Sequence, residues 1–446
     1  EGKGDVKSIK LTGAGFYAYP HWSPDSKKIT YVDNSRSIYV LDIATGASKK
    51  IDADELYSPG VFRELFGNWS ADSKWIAYDK LTETNFKRVY LYSIEQGKSF
   101  AVTDGLSDAS EPKIDPSGKY LYFFASTDAG PVANWFDQSN NDMRATSGIY
   151  LVTLQKNTIS PFAKESDEET VKTEKPEPTP VDKSKTDKKE PEPAKPIKTL
   201  QVDWDGIHTR IIDLPVKPGN YSRLSVAKEG DLYYVVDEYN SNDPGKLHKY
   251  DMAKRKDTEV MELNDYVISA DNKKMLYRKE TTFGITNTGE KPEAGKGIIN
   301  INDISVKVDP PAEWAQTFDE AWRVNRDYFY DPGMHGADWP AMKKKYAQFL
   351  PHLACRGNLN TLIEWMCSEL VVGHHRLQGG GDRVGSPEQI PGGLLGADYT
   401  ISNNRYQIKK IYGGLNWNPE LRSPLTEPGI NAAVGEYILA VNGKEV

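Results

Sequence analysis

The sequence predicts a mainly β protein in which a β-propeller is followed by a small α-helical domain and a second, shorter β domain. Two observations lead to this prediction. A turn-and-strand phrase recurs about every 45 residues, a typical length for one propeller blade. After residue 309 the apolar residues change from alternation to the three- and four-residue spacing of helices, and alternation returns from about residue 392.

The recurring phrase is clearest in HWSPDSKKITYV from His21, NWSADSKWIAYD from Asn68 and KIDPSGKYLYFF from Lys113. Weaker copies, SVAKEGDLYYVV and VISADNKKMLYR, begin at Ser225 and Val267. Because Pro fixes φ and Asp and Ser bond to the nearby backbone, each phrase predicts a turn that leads into a half-buried strand. A second strand follows, and this order favours a propeller with about five visible blades over a β-sandwich.

Residues 1–309 are assigned to the propeller, and two stretches interrupt it. Residues 130–147 form a polar insertion within a blade. Residues 164–196 are nearly all Lys, Glu, Asp, Pro, Ser and Thr, so they cannot bury enough apolar surface to offset the entropy lost on ordering. We expect a disordered loop there. An acidic binding tail is the alternative, although the charges are of both signs.

Residues 310–384 predict a small domain of three helices. The pair Pro310–Pro311 suits the N-terminus of the first helix. The third is expected to be capped by Asn358 or Asn360 and to stop at Gly373. The side chains predicted to face inward are Trp314, Phe318, Ala321, Trp322, Asn325, Trp339, Met342, Tyr346, Phe349, Leu362, Trp365, Met366 and Leu370.

Composition excludes several classes of protein. A net charge of -8 argues against a general nucleic-acid binder. No run of about 20 apolar residues is present, so no membrane-spanning helix is expected. Cys355 and Cys367 lack the spacing of a zinc site, which leaves free thiols or one disulfide. The chain begins without methionine or a signal peptide, which suggests a processed or trimmed chain.

Four features in a fixed order point to a known family. They are the blade repeats, WAQTFDEAWRVNRDYFYDPGMHGADW, SELVVGHHRLQGGGD and GEYILAVNGKEV. Together they resemble the tricorn protease family, large serine peptidases built from two propellers, a helical domain, a PDZ domain and a catalytic core. The resemblance implies that residues 1–309 are part of the second propeller. It also implies that residues 390–446 are a truncated PDZ-like domain.

The PDZ-like region contains two recognisable pieces. GEYILAVNGKEV predicts a strand and a tight turn at Asn442–Gly443. PDZ domains bind extended peptide ends by adding a strand to a sheet edge. The Gly392–Gly396 stretch is either the loop that receives a peptide carboxylate through backbone N–H groups or simply a tight loop that leads into a strand.

The adjacent histidines at 374 and 375 are weak evidence by themselves. A surface or satisfied core histidine is the ordinary interpretation, and a metal site would need further ligands that the sequence does not space correctly. The family resemblance changes this. Its helical domain supplies the catalytic histidine just after a Glu-Leu-x-x-small stretch, which matches Glu369–Gly373 here. The resemblance therefore implies that His374 is the general base. His375 falls one place later, and Gly373 stands where the archetype has serine.

The resemblance also implies the rest of the reaction. The partners would be peptide substrates, no metal or organic cofactor is expected, and the full-length protein would be a homo-oligomer, with a hexamer as the family example. The nucleophilic serine, oxyanion donors and orienting glutamate belong to a core domain absent from this chain, so we expect the chain alone to be inactive. The archetype is cytosolic, which favours a cytoplasmic location over a periplasmic or exported one.

Two other functions compete with the peptidase. A prolyl-oligopeptidase-like enzyme also joins a propeller to a serine hydrolase, but it needs a G-x-S-x-G elbow that the sequence lacks. The second competitor is a non-catalytic propeller–PDZ scaffold that binds peptides, in which His374 would be structural. A full-length protein without a serine-bearing core would favour the scaffold.

Overall fold

The chain folds into two compact units. The first comprises Glu1–Leu353 with Thr361–Arg376, and the second comprises Ala354–Asn360 with Leu377–Val446. The computed structural model describes residues 6–11, 15–56, 63–128, 145–163, 199–228, 230–239, 241, 243–293, 295–381 and 392–446. The loop predicted at 164–196 lies outside the described residues, as does most of the insertion predicted at 130–147.

Among the described residues, five four-stranded antiparallel sheets form the blades of a β-propeller, and each strand pairs with its neighbour in sequence. The strands of blades 1 to 3 are β1 Tyr17–Trp22, β2 Lys28–Asp33, β3 Ser37–Asp42, β4 Ser48–Ala53, β5 Phe66–Trp69, β6 Trp75–Leu81, β7 Lys87–Ser93, β8 Lys98–Ala101, β9 Asp108–Ile114, β10 Tyr120–Ser126, β11 Gly148–Thr153 and β12 Ile211–Asp213. Those of blades 4 and 5 are β13 Tyr221–Lys228, β14 Asp231–Val236, β15 Gly245–Asp251, β16 Lys256–Leu263, β17 Asp265–Ile268, β18 Lys274–Lys279, β19 Thr282–Asn287 and β20 Ile298–Ile299.

The recurring sequence phrase forms the turn between the first and second strands of a blade. In blade 2 the hydroxyl of Ser70 donates to Asp72 Oδ1 at 2.5 Å, and the Trp75 N–H donates to Ser70 Oγ at 2.9 Å. Ser23 and Ser269 repeat both bonds in blades 1 and 5. One side chain thus closes the turn and pairs the first amide of the next strand, which is why the phrase recurs.

The fourth position of this turn has a left-handed backbone. Its φ is 58° at Ser26, 59° at Ser73, 73° at Gly118 and 58° at Asn272. Left-handed backbone is unfavourable for residues with a bulky or branched Cβ, and Gly and Asn tolerate it best. This requirement explains why the phrase varies only among small turn-forming residues at this position.

Apolar layers between neighbouring blades form the core of the propeller. Both faces of a central blade are therefore buried, and in β10 every residue from Tyr120 to Ser126 is buried. The main contributors are Ile38, Val40, Phe66, Ile76 and Tyr78 between blades 1 and 2; Ala77, Leu91, Ala109, Leu121 and Phe123 between blades 2 and 3; Tyr122, Phe124, Leu224, Leu232 and Tyr234 between blades 3 and 4; and Tyr233, Val235, Tyr266, Met275 and Tyr277 between blades 4 and 5.

In the part of the chain that the structure describes, three α-helices follow the propeller, as predicted: α1 Pro310–Tyr328, α2 Trp339–Ala347 and α3 Arg356–Ser368. Asp338 caps α2, because its side chain accepts a hydrogen bond from the Ala341 N–H at 3.0 Å. Within the described part of the chain, no helix is both long enough and apolar enough to cross a membrane.

Four details predicted for the helices are wrong. α3 begins at Arg356, so Asn358 and Asn360 lie inside the helix and cannot be its cap. The helix ends at Ser368, not Gly373. Phe349 is 44% exposed because α2 has already ended and helical spacing no longer applies there. Trp365 is 56% exposed because it lies off the buried stripe of the helix. That stripe consists of Leu359, Leu362, Ile363 and Met366.

The C-terminal β region begins with a hairpin of β21 Ala397–Ser402 and β22 Arg405–Ile411. Residues near Tyr437 continue the sheet on the other side of β22, since the Ile408 N–H donates to the Glu436 carbonyl at 2.8 Å. The short strands β23 Ala440–Val441 and β24 Lys444–Glu445 flank the predicted turn. Asn442 and Gly443 both have left-handed φ, at 50° and 77°, as a type I′ turn requires.

Candidate functional site

The segment that follows α3 contains the predicted catalytic-type histidine. Three hydrogen bonds extend the last helical turn. The N–H groups of Glu369, Leu370 and Val371 donate to the carbonyls of Met366, Cys367 and Ser368 at 3.4, 3.1 and 3.0 Å. Leu370 is fully buried, whereas Val371 is 82% exposed. The chain therefore leaves the helical core between these two residues.

Glu369 is held in place by two side chains from α2. Its Oε1 accepts hydrogen bonds from the Tyr346 hydroxyl at 2.7 Å and from Lys345 Nζ at 2.5 Å. The bond from Lys345, followed by that from Tyr346, lowers the pKa of the Glu369 carboxyl below its usual value. Glu369 is thus a charged anchor at the start of residues 369–376, the histidine segment, and its carboxylate is directed to α2.

His374 and His375 both lie exposed on the surface. Neither imidazole forms a hydrogen bond or ion pair with any residue that the structure describes. The described part of the chain therefore brings no serine hydroxyl and no carboxylate to His374. The same part of the chain contains no group of three or more His, Cys, Asp or Glu side chains arranged to hold a metal ion.

Gly373, which precedes the candidate base, has open space around it. A Cβ at this position would meet no described heavy atom within 4 Å, and its φ is not left-handed. A serine side chain would therefore fit here, and the local backbone does not require glycine.

Sequence reasoning missed one residue of this region, His335. The short 3₁₀ turn Met334–Gly336 carries it between α1 and α2, and its Nδ1 lies 2.8 Å from the Leu370 carbonyl oxygen. The signal in the sequence was the Asp331-Pro-Gly turn, which predicts a local reversal of the chain. Nothing in the sequence indicated that this turn contacts Leu370.

The C-terminal unit contains a cleft of about 450 Å³ beside β21. The residues that line it are Gly393, Leu394, Leu395, Gly396, Ala397, Tyr399, Tyr406, Tyr412 and Ile438. Gly396 has a φ of 76°, and a Cβ there would approach Ser423 Oγ to 2.4 Å, so the loop requires glycine at this point. No described residue accepts a hydrogen bond from the N–H groups of Gly393, Leu394 or Leu395.

The predicted loop at Gly392–Gly396 thus lies at one end of a largely apolar cleft next to a strand. Backbone N–H groups without described partners can receive a carboxylate, and apolar walls can receive the adjoining side chain. The arrangement has the parts that a peptide-binding edge needs. A tight loop that merely connects to β21 would have the same position, so the geometry does not choose between the two interpretations of Gly392–Gly396.

The order of propeller, small helical region and PDZ-like β region defines a multidomain propeller protein. Three family models match the chain in this order: the tricorn protease second beta propeller domain over residues 2–289, the tricorn protease C1 domain over 310–368, and the tricorn protease PDZ domain over 393–446. The chain belongs to the tricorn protease family.

Curated relatives agree with this assignment. A putative tricorn-like protease C-terminal subunit from Sulfurisphaera tokodaii is 29% identical over 439 residues, which are 95% of this chain and 47% of that protein. The tricorn protease of Thermoplasma acidophilum is 25% identical over 94% of this chain and 37% of its own length. The chain therefore spans less than half the length of these relatives.

A solved structure shares the fold. The crystal structure of the tricorn protease aligns with 98% of this chain and 40% of its own, with a TM-score of 0.64 and 20% sequence identity. The family models leave residues 369–392 between the second and third matches. His374 lies in that interval, so no family model covers it. The case for its role therefore rests on the Glu369–Gly373 motif that precedes it.

Proposed function

We propose that this chain is part of a tricorn-like serine endopeptidase or oligopeptidase, and that His374 is its general base. The observation that supports the role most directly is the contrast within one segment. Glu369 and Leu370 are anchored by side chains from other elements, whereas His374 is exposed and has no described partner. Such an imidazole is available to a nucleophile that another domain supplies.

The chemistry requires a base of this kind. A serine hydroxyl is a poor nucleophile until a nearby group removes its proton, and a neutral imidazole can do so near neutral pH. In the proposed reaction His374 accepts the proton as serine Oγ attacks the peptide carbonyl, then donates it to the leaving amine. An acyl-serine ester remains. Water hydrolyses this ester, with His374 again as the base.

The nucleophile, the oxyanion donors and the carboxylate that orients the base are assigned to a core domain outside this chain. In this proposal the cleft beside β21 binds the ends of extended peptides, and the propeller is a gate or channel through which peptides pass. The proposal includes homo-oligomerisation of the full-length protein, for which a hexamer is the family precedent.

A panel of fluorogenic peptides tests the proposed activity. We expect the full-length protein to cleave several of them and the 446-residue chain to cleave none. Cleavage by the purified chain alone would show that the catalytic set has been assigned to the wrong part of the protein. A full-length protein that cleaves nothing would favour a non-catalytic role.

The second candidate function is a propeller–PDZ scaffold that binds peptides without cleaving them, and the cleft beside β21 favours it. A labelled peptide with an apolar C-terminal residue tests binding by fluorescence anisotropy, with its C-terminal amide as the matched control. If this cleft receives the terminal carboxylate, only the free acid binds well. Equal binding of both forms would contradict the assignment of the Gly392–Gly396 loop.

A further inference from the structure

The His335 side chain connects the turn between α1 and α2 to the end of α3. Its Nδ1 lies 2.8 Å from the Leu370 carbonyl oxygen, and its Nε2 is hydrogen-bonded to the Tyr330 hydroxyl. A carbonyl oxygen can only accept, so Nδ1 must carry the proton in this contact. In the neutral imidazole Nε2 then accepts from the Tyr330 hydroxyl. If Nε2 is also protonated, the Nδ1 bond to Leu370 remains.

His335 is itself held in an unusual backbone conformation. Met334 and His335 have left-handed φ values of 51° and 53°. The Asp331 carboxylate accepts hydrogen bonds from the Gly333 N–H at 2.9 Å and the His335 N–H at 2.8 Å, which stabilises this turn. Two consecutive left-handed residues other than glycine persist only where the surroundings impose them. The turn therefore presents the imidazole in one orientation.

The residue that receives this hydrogen bond lies at the point where α3 stops. The last carbonyl groups of a helix have no partner within the helix, and a buried one needs a partner from elsewhere. Leu370 is fully buried, and Val371 directly after it has a left-handed φ of 52°. Left-handed backbone is particularly unfavourable for a β-branched residue. The bond from His335 thus fixes a strained junction, and Val371, Val372 and Gly373 alone separate that junction from His374.

We infer that His335 is a positioning residue that fixes the backbone from which His374 projects, with Tyr330 orienting the His335 ring. This inference rests on the proposed role of His374. His335 touches no reacting atom in this account and acts only through the Leu370 carbonyl. Its effect should therefore appear in the rate of the chemical step and not in substrate binding.

The test compares four variants of the full-length protein. His335→Ala removes the bond to Leu370, whereas His335→Asn keeps an N–H donor close to the place of Nδ1. Tyr330→Phe removes only the support of the ring. His352→Ala is the matched control, because His352 is another exposed histidine among the helices and bonds to no part of the histidine segment. Thermal melting of each variant checks that it is folded.

Two readouts are required. For His335→Ala we expect kcat to fall about 10-fold to 100-fold with KM unchanged. We also expect faster amide hydrogen exchange over residues 370–376. His335→Asn should restore much of the wild-type kcat and of the wild-type exchange rate. Tyr330→Phe should change both quantities less than His335→Ala does, and His352→Ala should change neither. Exchange that is unchanged in His335→Ala would overturn the inference, as would faster exchange without a fall in kcat.

The two readouts separate this inference from the proposed function. If the wild-type protein cleaves no peptide, the proposed function fails, and hydrogen exchange still decides whether His335 holds the segment. If the wild type is active and His335→Ala alters neither readout, the proposed function stands and the positioning role is wrong.

Discussion

Cys367 shows how one buried side chain is adapted to the helical region. Both cysteines are free thiols, so of the two arrangements considered from the sequence the disulfide is wrong. Cys367 is buried, and Asn325 Nδ2 lies 3.6 Å from its Sγ. Burial, only partly offset by Asn325, raises the pKa of the thiol to about 11. The thiol is therefore a neutral core group at physiological pH.

This pKa predicts slow labelling of Cys367. At pH 8 a thiol reagent should react quickly with the half-buried Cys355 and should reach Cys367 only after unfolding, because a buried neutral thiol is a poor nucleophile. Peptide mapping of the labelled protein measures both rates. Rapid labelling of Cys367 in the folded protein would contradict the packing described for α3.

The same pKa predicts a loss of stability at alkaline pH. The unfolded thiol ionises near pH 9 and the folded one near 11, so the native state retains the proton longer. The stability contributed by the protonated thiol is complete below pH 9 and is lost as the pH rises towards 11. Cys367→Ala should remove this part of the pH dependence. An identical pH dependence in wild type and variant would contradict it.

At the scale of the element, the blade turn is the unit that builds the propeller. The buried Ser70 hydroxyl satisfies both Asp72 and the Trp75 N–H, and Asp72 Oδ2 also accepts from the Leu200 N–H at 2.8 Å. One turn in blade 2 therefore also binds the backbone at Leu200.

Ser70→Ala should lower the free energy of unfolding by about 1–2 kcal/mol, because it leaves the buried Trp75 N–H without its partner. Ser269→Ala is the matched control, since Ser269 makes the same bonds in a more exposed turn where water can replace the hydroxyl. Denaturant titration of both variants measures the difference. A loss at Ser269 equal to that at Ser70 would contradict the role of burial.

The sequence predicts those features of the blades and helices that depend on neighbouring residues, and misses those that depend on contacts between distant parts of the chain. The blade turn depends on side chains within six residues, so the phrase at Asn68 predicts both the turn and the strand that follows it. The exposure of Trp365 and the first residue of α3 depend on which neighbours pack against the helix. The spacing of apolar residues does not identify those neighbours. The contact between His335 and Leu370 joins distant parts of the chain, so no local pattern indicates it. His374 is proposed as the general base only through the order of motifs around it.

At the scale of the whole molecule, a buried charge network joins the blades. Arg63 donates to Asp54 Oδ1 at 2.6 Å and to Asp79 Oδ1 at 2.5 Å, and the side chains of Asp54 and Asp79 are 1% and 7% exposed. Asp79 Oδ2 also accepts from the Glu111 N–H of blade 3 at 3.0 Å. The Arg63 guanidinium therefore pairs with carboxylates from blades 1 and 2. Asp54 also lies 3.9 Å from the Arg36 guanidinium, and Asp79 contacts blade 3.

Arg63→Ala should lower the free energy of unfolding by about 3 kcal/mol or more, because it removes the cation paired with buried Asp79 and leaves buried Asp54 only the longer contact to Arg36, at 3.9 Å. Lys156→Ala is the control. Its pair with Asp205 is exposed at 52% and 92%, so the unfolding midpoint should not change measurably. Equal effects of the two substitutions would show that the network does not couple the blades.

For the whole molecule, we propose that this chain supplies the base of a peptidase site that another domain completes. The measurement that decides this is kcat for peptide cleavage by full-length wild type, His374→Ala and His375→Ala. We expect a loss of roughly a thousandfold or more in His374→Ala alone, as removal of a general base from a serine triad implies. Full activity in both variants would show that both histidines are structural and that His374 is not the base.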